Sequence, residues 1–161
     1  MIELPDRLES YRPVFELTSR PAIQLKPQEA APDLAPWESR IGGRPPLFQG
    51  AAWPVAADDS LLYFLAQLNL GLFPSIGSFP EQGCLQFFVG AKKEDTMVRY
   101  WAEISQDTSD WSVPEHAISA NGPLNNEQVY SLDYTLVREL MPHSDYRFKE
   151  HIGTQLKLGL E

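Results

Sequence analysis

Two arginines and a tryptophan lie in the short segment SRIGGRPPLFQGAAWP, residues 39–54. Arg40 and Arg44 carry planar guanidinium groups that bind carboxylates or stack on aromatic rings, and Trp53 offers a large amphipathic ring. Glycines and prolines give the segment tight turns and a stiff, extended path. With Trp37 close by in sequence, this composition is typical of a protein-recognition surface. The alternative is structural: the segment wraps a sheet, and Trp53 fills the open end of that sheet.

Three amide side chains interrupt apolar segments further along the chain. Gln67 and Asn69 lie in LLYFLAQLNL, and Gln86 lies in CLQFFVG. A buried amide without a hydrogen bond costs about 1–3 kcal/mol, so each of these groups needs a partner. They either line a polar pocket between the 39–54 loop and the 62–70 strand, or they hydrogen-bond the loop backbone. The pocket would indicate a small-ligand-binding or hydrolytic protein.

The histidines and the single cysteine match no catalytic or metal-binding pattern. His143, Asp145 and His151 are spaced by two and then six positions, which fits no compact ligand set. Cys84 has no nucleophile-elbow motif around it, and SRIGGRP is not followed by a phosphate-loop lysine. The sequence therefore predicts no metal, no cofactor and no catalytic residue, and it favours a binding protein over an enzyme.

The charge balance restricts the kind of partner. The chain has 22 acidic and 13 basic residues and a net charge of −9. This disfavours nucleic acid, whose phosphates are bound by Lys and Arg, and it favours a basic protein partner. The N-terminus lacks a signal-peptide pattern, and the apolar stretch around Gln67 is too short to span a bilayer. We expect a cytoplasmic protein that does not enter the membrane.

Fourteen prolines limit helix length, so short strands between turns are expected. Apolar alternation predicts strands at residues 14–17, 23–26, 61–70, 84–90, 97–104 and 128–140, with a hairpin between the fourth and fifth. Residues 27–39 and 105–127 are predicted loops, and 39–54 is expected to hold no regular strand. A short helix is predicted over 144–153, capped by Ser144. The expected fold is α+β and β-dominated, a mostly antiparallel sheet with long proline-rich loops and one or two short helices.

The order of these motifs resembles the YwqG-like family of bacterial proteins, whose function is unknown. The resemblance covers roughly residues 39–101 and rests on the Ser-Arg-Ile-Gly-Gly loop with Pro45, the Trp53-Pro54 pair, and residues 64–70 and 80–88. It implies a bacterial protein with an immunity or adaptor role, and it brings no catalytic residues. Similar proteins have a second lobe whose motifs this chain lacks. Residues 1–161 are therefore one domain, or the N-terminal lobe of a longer protein.

These observations predict a cytoplasmic, non-enzymatic domain that binds a protein partner. The predicted binding residues are Arg40, Arg44, Trp53, Trp37, Gln67 and Asn69.

Overall fold

The computed structural model describes residues 3–29, 34–48, 50–77, 79–92, 94–114, 128–142 and 144–153. One α-helix and eight strands account for most of the regular structure in these segments. They are α1 (Arg12–Thr18), β1 (Arg20–Glu29), β2 (Arg40–Gly42), β3 (Leu47–Phe48), β4 (Tyr63–Asn69), β5 (Cys84–Val89), β6 (Thr96–Trp101), β7 (Trp111–Ser112) and β8 (Val129–Glu139).

Six of the strands form one sheet in the order β1-β8-β2-β4-β5-β6, and β3 pairs with β7. The pairs β8-β2, β2-β4, β4-β5 and β5-β6 are all antiparallel. This confirms the predicted β-dominated, mostly antiparallel fold. β1 contains two prolines and lies at the edge of the sheet, where a residue without an N–H is tolerated.

The chain divides into two compact units. One is Leu25–Tyr134, and its buried core consists of Leu47, Ala56, Leu62, Phe64 and Phe88. The other comprises Met1–Gln24 and Thr135–Glu161, and its buried core consists of Phe15, Met141 and Ile152.

The predicted strand at residues 14–17 is wrong, because this segment belongs to α1. Pro13 lies in the first helical turn, where its missing N–H costs no hydrogen bond. Phe15 and Thr18 are buried three positions apart on one helical face, and the Thr18 hydroxyl donates to the Val14 carbonyl at 2.9 Å. A run this short satisfies the strand and the helix period alike.

The expectation that residues 39–54 hold no strand is also wrong. β2 lies between β4 and β8, and β3 pairs with β7. A strand of three residues needs no propensity signal of its own, because two neighbouring strands supply its hydrogen bonds. Gly42 and Gly43 then end β2 with φ values of 70° and 71°, a conformation that favours glycine.

The remaining strand predictions are confirmed, with shifted ends, by β1, β4, β5, β6 and β8.

The helix predicted over 144–153 is reduced to a π-helical turn, Lys149–Gly153. Here the Asp145 carboxylate accepts hydrogen bonds from the Arg147 backbone and guanidinium, a local turn that competes with helix formation. The expectation that residues 105–127 form only a loop is wrong for Trp111–Ser112, which form β7 because β3 supplies their pairing partner. Residues 115–127 and His143 lie outside the described residues. No helix in the described segments has the length and apolar content that a membrane crossing requires.

Candidate functional site

A row of polar side chains crosses one face of the sheet, here called the inner face. The strand register places Arg40, Gln67, Gln86 and Arg99 side by side on β2, β4, β5 and β6. Gln67 and Gln86 are fully buried, with no exposed surface. Neighbouring positions on this face carry core residues such as Phe88, so the polar row must find its hydrogen bonds inside the protein.

The two glutamines bond to each other and to the chain before and after β2, residues 34–39, 43–48 and 50–54, here called the covering loop. Gln67 Nε2 donates to the carbonyls of Pro36 (2.7 Å) and Glu38 (2.9 Å). Gln86 Nε2 donates to the Pro46 carbonyl (2.8 Å) and to Gln67 Oε1 (2.9 Å). The glutamines therefore hold two stretches of loop backbone against the sheet.

Asn69 continues this pattern at the end of β4. Its Nδ2 donates to the Trp37 carbonyl at 3.0 Å, and its Oδ1 accepts from the Gly71 N–H at 3.1 Å. The Asn69 backbone N–H donates to Ser39 Oγ at 2.9 Å. Together with Gln67, Asn69 thus binds three consecutive loop carbonyls, those of residues 36, 37 and 38.

Arg40 also donates hydrogen bonds to backbone carbonyls of the covering loop. Its side chain is buried, and its guanidinium donates to the carbonyl of Ala35 and, at 3.4 Å each, to those of Leu34 and Glu38. Burial lowers the pKa of Arg40 from its ordinary value. A guanidinium enclosed by loop carbonyls is not available to a partner on the surface.

Trp53 and Arg99 attach the far end of the loop. Trp53 Nε1 donates to the Leu62 carbonyl at 2.9 Å, and its ring meets the Phe88 ring edge-on at 5.7 Å. Arg99 donates to the Ala52 carbonyl at 2.9 Å and was not among the predicted site residues. Arg44 is exposed at the surface. The six predicted residues therefore do not meet in one exposed patch. Most of them take part in the hydrogen bonds that hold the covering loop, whereas Arg44 is exposed and takes part in none of those described above.

A groove of about 380 Å³ opens where β4 and β6 end and β5 begins. Two of the predicted residues, Trp37 and Asn69, line it, and no residue from 39–54 does. The other lining residues are Gly71, Leu72, Gln82, Gly83, Ala102, Glu103, Ile104 and Gln106. The groove therefore lies beside the covering loop, and not between residues 39–54 and the 62–70 strand, where a pocket was the alternative expected from the sequence.

Eight apolar, uncharged residues lie together on the opposite face of the sheet, on β8, β2, β4, β5 and β6. By register, Tyr130, Ile41, Ala66, Phe87 and Val98 form one row, and Leu68, Leu85 and Tyr100 form the next. We call these eight residues the outer face. Val98 is 58% exposed and Tyr100 46%, and the other six are partly exposed. The signal for this surface was present in the sequence, because β5 and β6 carry apolar residues on both faces, as strands covered on both sides do.

No group of three or more His, Cys, Asp or Glu side chains is placed to hold a metal within the described segments. Cys84 is buried at the start of β5. Burial raises the pKa of the Cys84 thiol to about 12, which keeps it protonated and unreactive at neutral pH.

Comparison with known proteins identifies the family. No curated protein matches the sequence. The model of a domain of unknown function, DUF1963, matches residues 39–161, starting at the serine that opens the Ile-Gly-Gly loop. This match is compatible with the YwqG-like resemblance. It includes β2 to β8, and thus the strands of the inner and outer faces. Because it spans more than half of the chain, the protein belongs to the DUF1963 family, whose function is unknown.

Proposed function

We propose that this chain is a non-catalytic protein-binding domain, and that its partner docks on the outer face. The observation that supports this is the uncharged, apolar and partly exposed surface formed by the eight residues named above. Contiguous apolar surface of this kind is rare on soluble proteins unless something covers it. The covering loop is hydrogen-bonded to the inner face, whereas the eight residues of the outer face remain exposed or partly exposed.

The shape of the outer face favours a protein over a small molecule. It extends across five neighbouring strands, which at a spacing of about 4.8 Å makes it about 19 Å wide. A sheet surface of this width lacks the enclosure that small-molecule sites provide, whereas a second sheet or a helix packs on it readily. We therefore assign the outer face to a macromolecular partner.

The charge of the chain favours a basic partner. At a net charge of −9, a second copy of this protein is repelled at long range, whereas a basic protein is attracted. Attraction of this kind raises the association rate, and the apolar contact supplies the stability of the complex. Such docking suits an immunity-type or adaptor protein of the bacterial cytoplasm, the role that the family resemblance implies.

The Val98→Glu variant tests this proposal. Val98 is 58% exposed, so the folded chain tolerates the charge. In the complex, the apolar side chains that the partner packs on the outer face would bury this carboxylate without a counter-ion, because the partner's basic residues act outside the apolar contact. We expect Val98→Glu to reduce recovery of the partner at least about ten-fold, which corresponds to about 1.4 kcal/mol of binding free energy. The measurement is quantitative mass spectrometry of proteins purified with the tagged chain from cells of the source organism.

Thr108→Glu is the matched control, because it adds the same charge to an exposed turn that is not part of the outer face. Circular dichroism establishes that both variants are folded. A stoichiometric partner that is lost with Val98→Glu and kept with Thr108→Glu supports the proposal. Equal recovery with both variants contradicts it.

A further inference from the structure

Beyond docking on the outer face, we propose that the groove beside Trp37 binds an organic cation, namely a guanidinium or primary ammonium group. The first observation is how firmly the Trp37 backbone is held. Buried amides of β4 bind the carbonyls on both sides of it and its own carbonyl: Gln67 binds those of Pro36 and Glu38, and Asn69 binds that of Trp37. A turn closed by the Glu38 N–H, which donates to the Ala35 carbonyl at 3.0 Å, fixes the same segment.

The side chain of Trp37 is not part of the buried core. Trp37 is only partly buried and is not a member of the core clusters. Its indole N–H makes no hydrogen bond to any residue in the described segments. Three hydrogen bonds from buried amides thus position an aromatic residue at the wall of an open groove. Fixed recognition side chains supported by a second layer of hydrogen bonds are what a preorganised site requires.

The charge of the groove selects the class of ligand. Among the described residues that line it, Glu103 is the one ionisable residue, and none has a cationic side chain. Glu103 is exposed and forms no ion pair with the described residues. The Glu103 carboxylate repels an anionic ligand, whereas a cation gains an ion pair with it.

The remaining lining groups complete the recognition of a cation. Tryptophan is the best aromatic partner for a guanidinium or ammonium group, and the side-chain carbonyls of Gln82 and Gln106 are available to accept its N–H hydrogen bonds. A volume of about 380 Å³ lies at the lower end of the range for ligand pockets, which suits one side-chain-sized group. The cation is either a free small molecule or an Arg or Lys side chain of a protein.

Titrations followed by ¹⁵N–¹H NMR on the full chain test this site. The probes are ethylguanidinium chloride for a free cation and the capped peptide Gly-Gly-Arg-Gly-Gly for a protein side chain. The same peptide with citrulline, an uncharged analogue of arginine, is the control. We expect saturable shifts of the Trp37 indole N–H and the Gly83 amide with at least one cationic probe, and none with the citrulline peptide.

Two carboxylate variants provide the matched comparison. Glu103→Gln removes the charge in the groove, and Glu94→Gln removes an exposed carboxylate outside it. We expect Glu103→Gln to weaken binding of the cationic probe about ten-fold, the effect of losing about 1.4 kcal/mol, and Glu94→Gln to leave it unchanged. Binding of the peptide alone assigns the site to a protein side chain, and equal binding of both probes assigns it to a free cation. Absence of saturable shifts with either probe, or equal effects of the two variants, overturns the proposal.

Discussion

Replacing Gly83 with alanine is expected to lower the free energy of unfolding by about 2–5 kcal/mol. Gly83 has a φ of 96°, which costs a residue with a Cβ about 1–2 kcal/mol. An added Cβ would also lie 2.4 Å from the Trp101 carbonyl oxygen and 2.6 Å from Tyr100 Cε2. The first of these is a backbone atom of the neighbouring strand, so β5 and β6 would have to separate. Overpacking of this kind costs about 1–3 kcal/mol more.

Gly77→Ala separates the two contributions. Gly77 has nearly the same φ, 94°, but an added Cβ would meet no atom within 4 Å. Urea denaturation of Gly77→Ala should therefore show only the decrease in the free energy of unfolding that the positive φ causes. The decrease for Gly83→Ala should be clearly larger. Equal losses would mean that β5 and β6 do not approach each other as described. The comparison tests the register of the strands that carry the groove and the outer face.

Gln67→Leu is expected to lower the free energy of unfolding by about 2–4 kcal/mol. Leucine fills nearly the same volume, so the change acts through hydrogen bonds. It leaves the Pro36 carbonyl without its donor, leaves the Glu38 carbonyl with only the 3.4 Å bond from Arg40, and removes the Gln67 acceptor of Gln86 Nε2. Each unsatisfied buried polar group costs about 1–3 kcal/mol. Urea denaturation measures the loss.

Gln106→Leu serves as the control for Gln67→Leu. Gln106 is exposed and takes part in none of the side-chain hydrogen bonds among the described residues, so its replacement should change stability by less than about 0.5 kcal/mol. The Gln67→Leu/Gln86→Leu double variant should lose less than the sum of the two single losses, because the two amides share one hydrogen bond. A loss below about 0.5 kcal/mol for Gln67→Leu would contradict an anchoring role for the amides.

The sequence predicted the fold well where a segment is long and apolar. β4, β5 and β8 stand out because runs of aromatic and aliphatic residues end at turn signals. It failed at β2 and α1, for different reasons. β2 has three residues and obtains its hydrogen bonds from strands distant in sequence, whereas α1 has seven residues whose apolar pattern fits either period.

The candidate site was less predictable because its geometry depends on long-range contacts. The sequence singled out Gln67 and Asn69 as amides in need of partners, but their partners are loop carbonyls about thirty residues away. Arg40 was expected at the surface, although the burial of β2 encloses it. The apolar outer face was readable because β5 and β6 carry apolar residues on both faces. Which face the loop would leave uncovered depends on the side on which it crosses the sheet, and no local pattern encodes that side.

The most direct test of protein binding through the outer face is site-specific photo-crosslinking in cells of the source organism. A photoreactive amino acid replaces Tyr100, which is 46% exposed on the outer face, or Thr108, in the exposed turn, as the control. We predict a single adduct from position 100, formed with a basic protein, and none from position 108. An adduct of twice the mass of the chain would identify a second copy as the partner and contradict a basic one. The same adducts from both positions, or none from position 100, would contradict docking on the outer face.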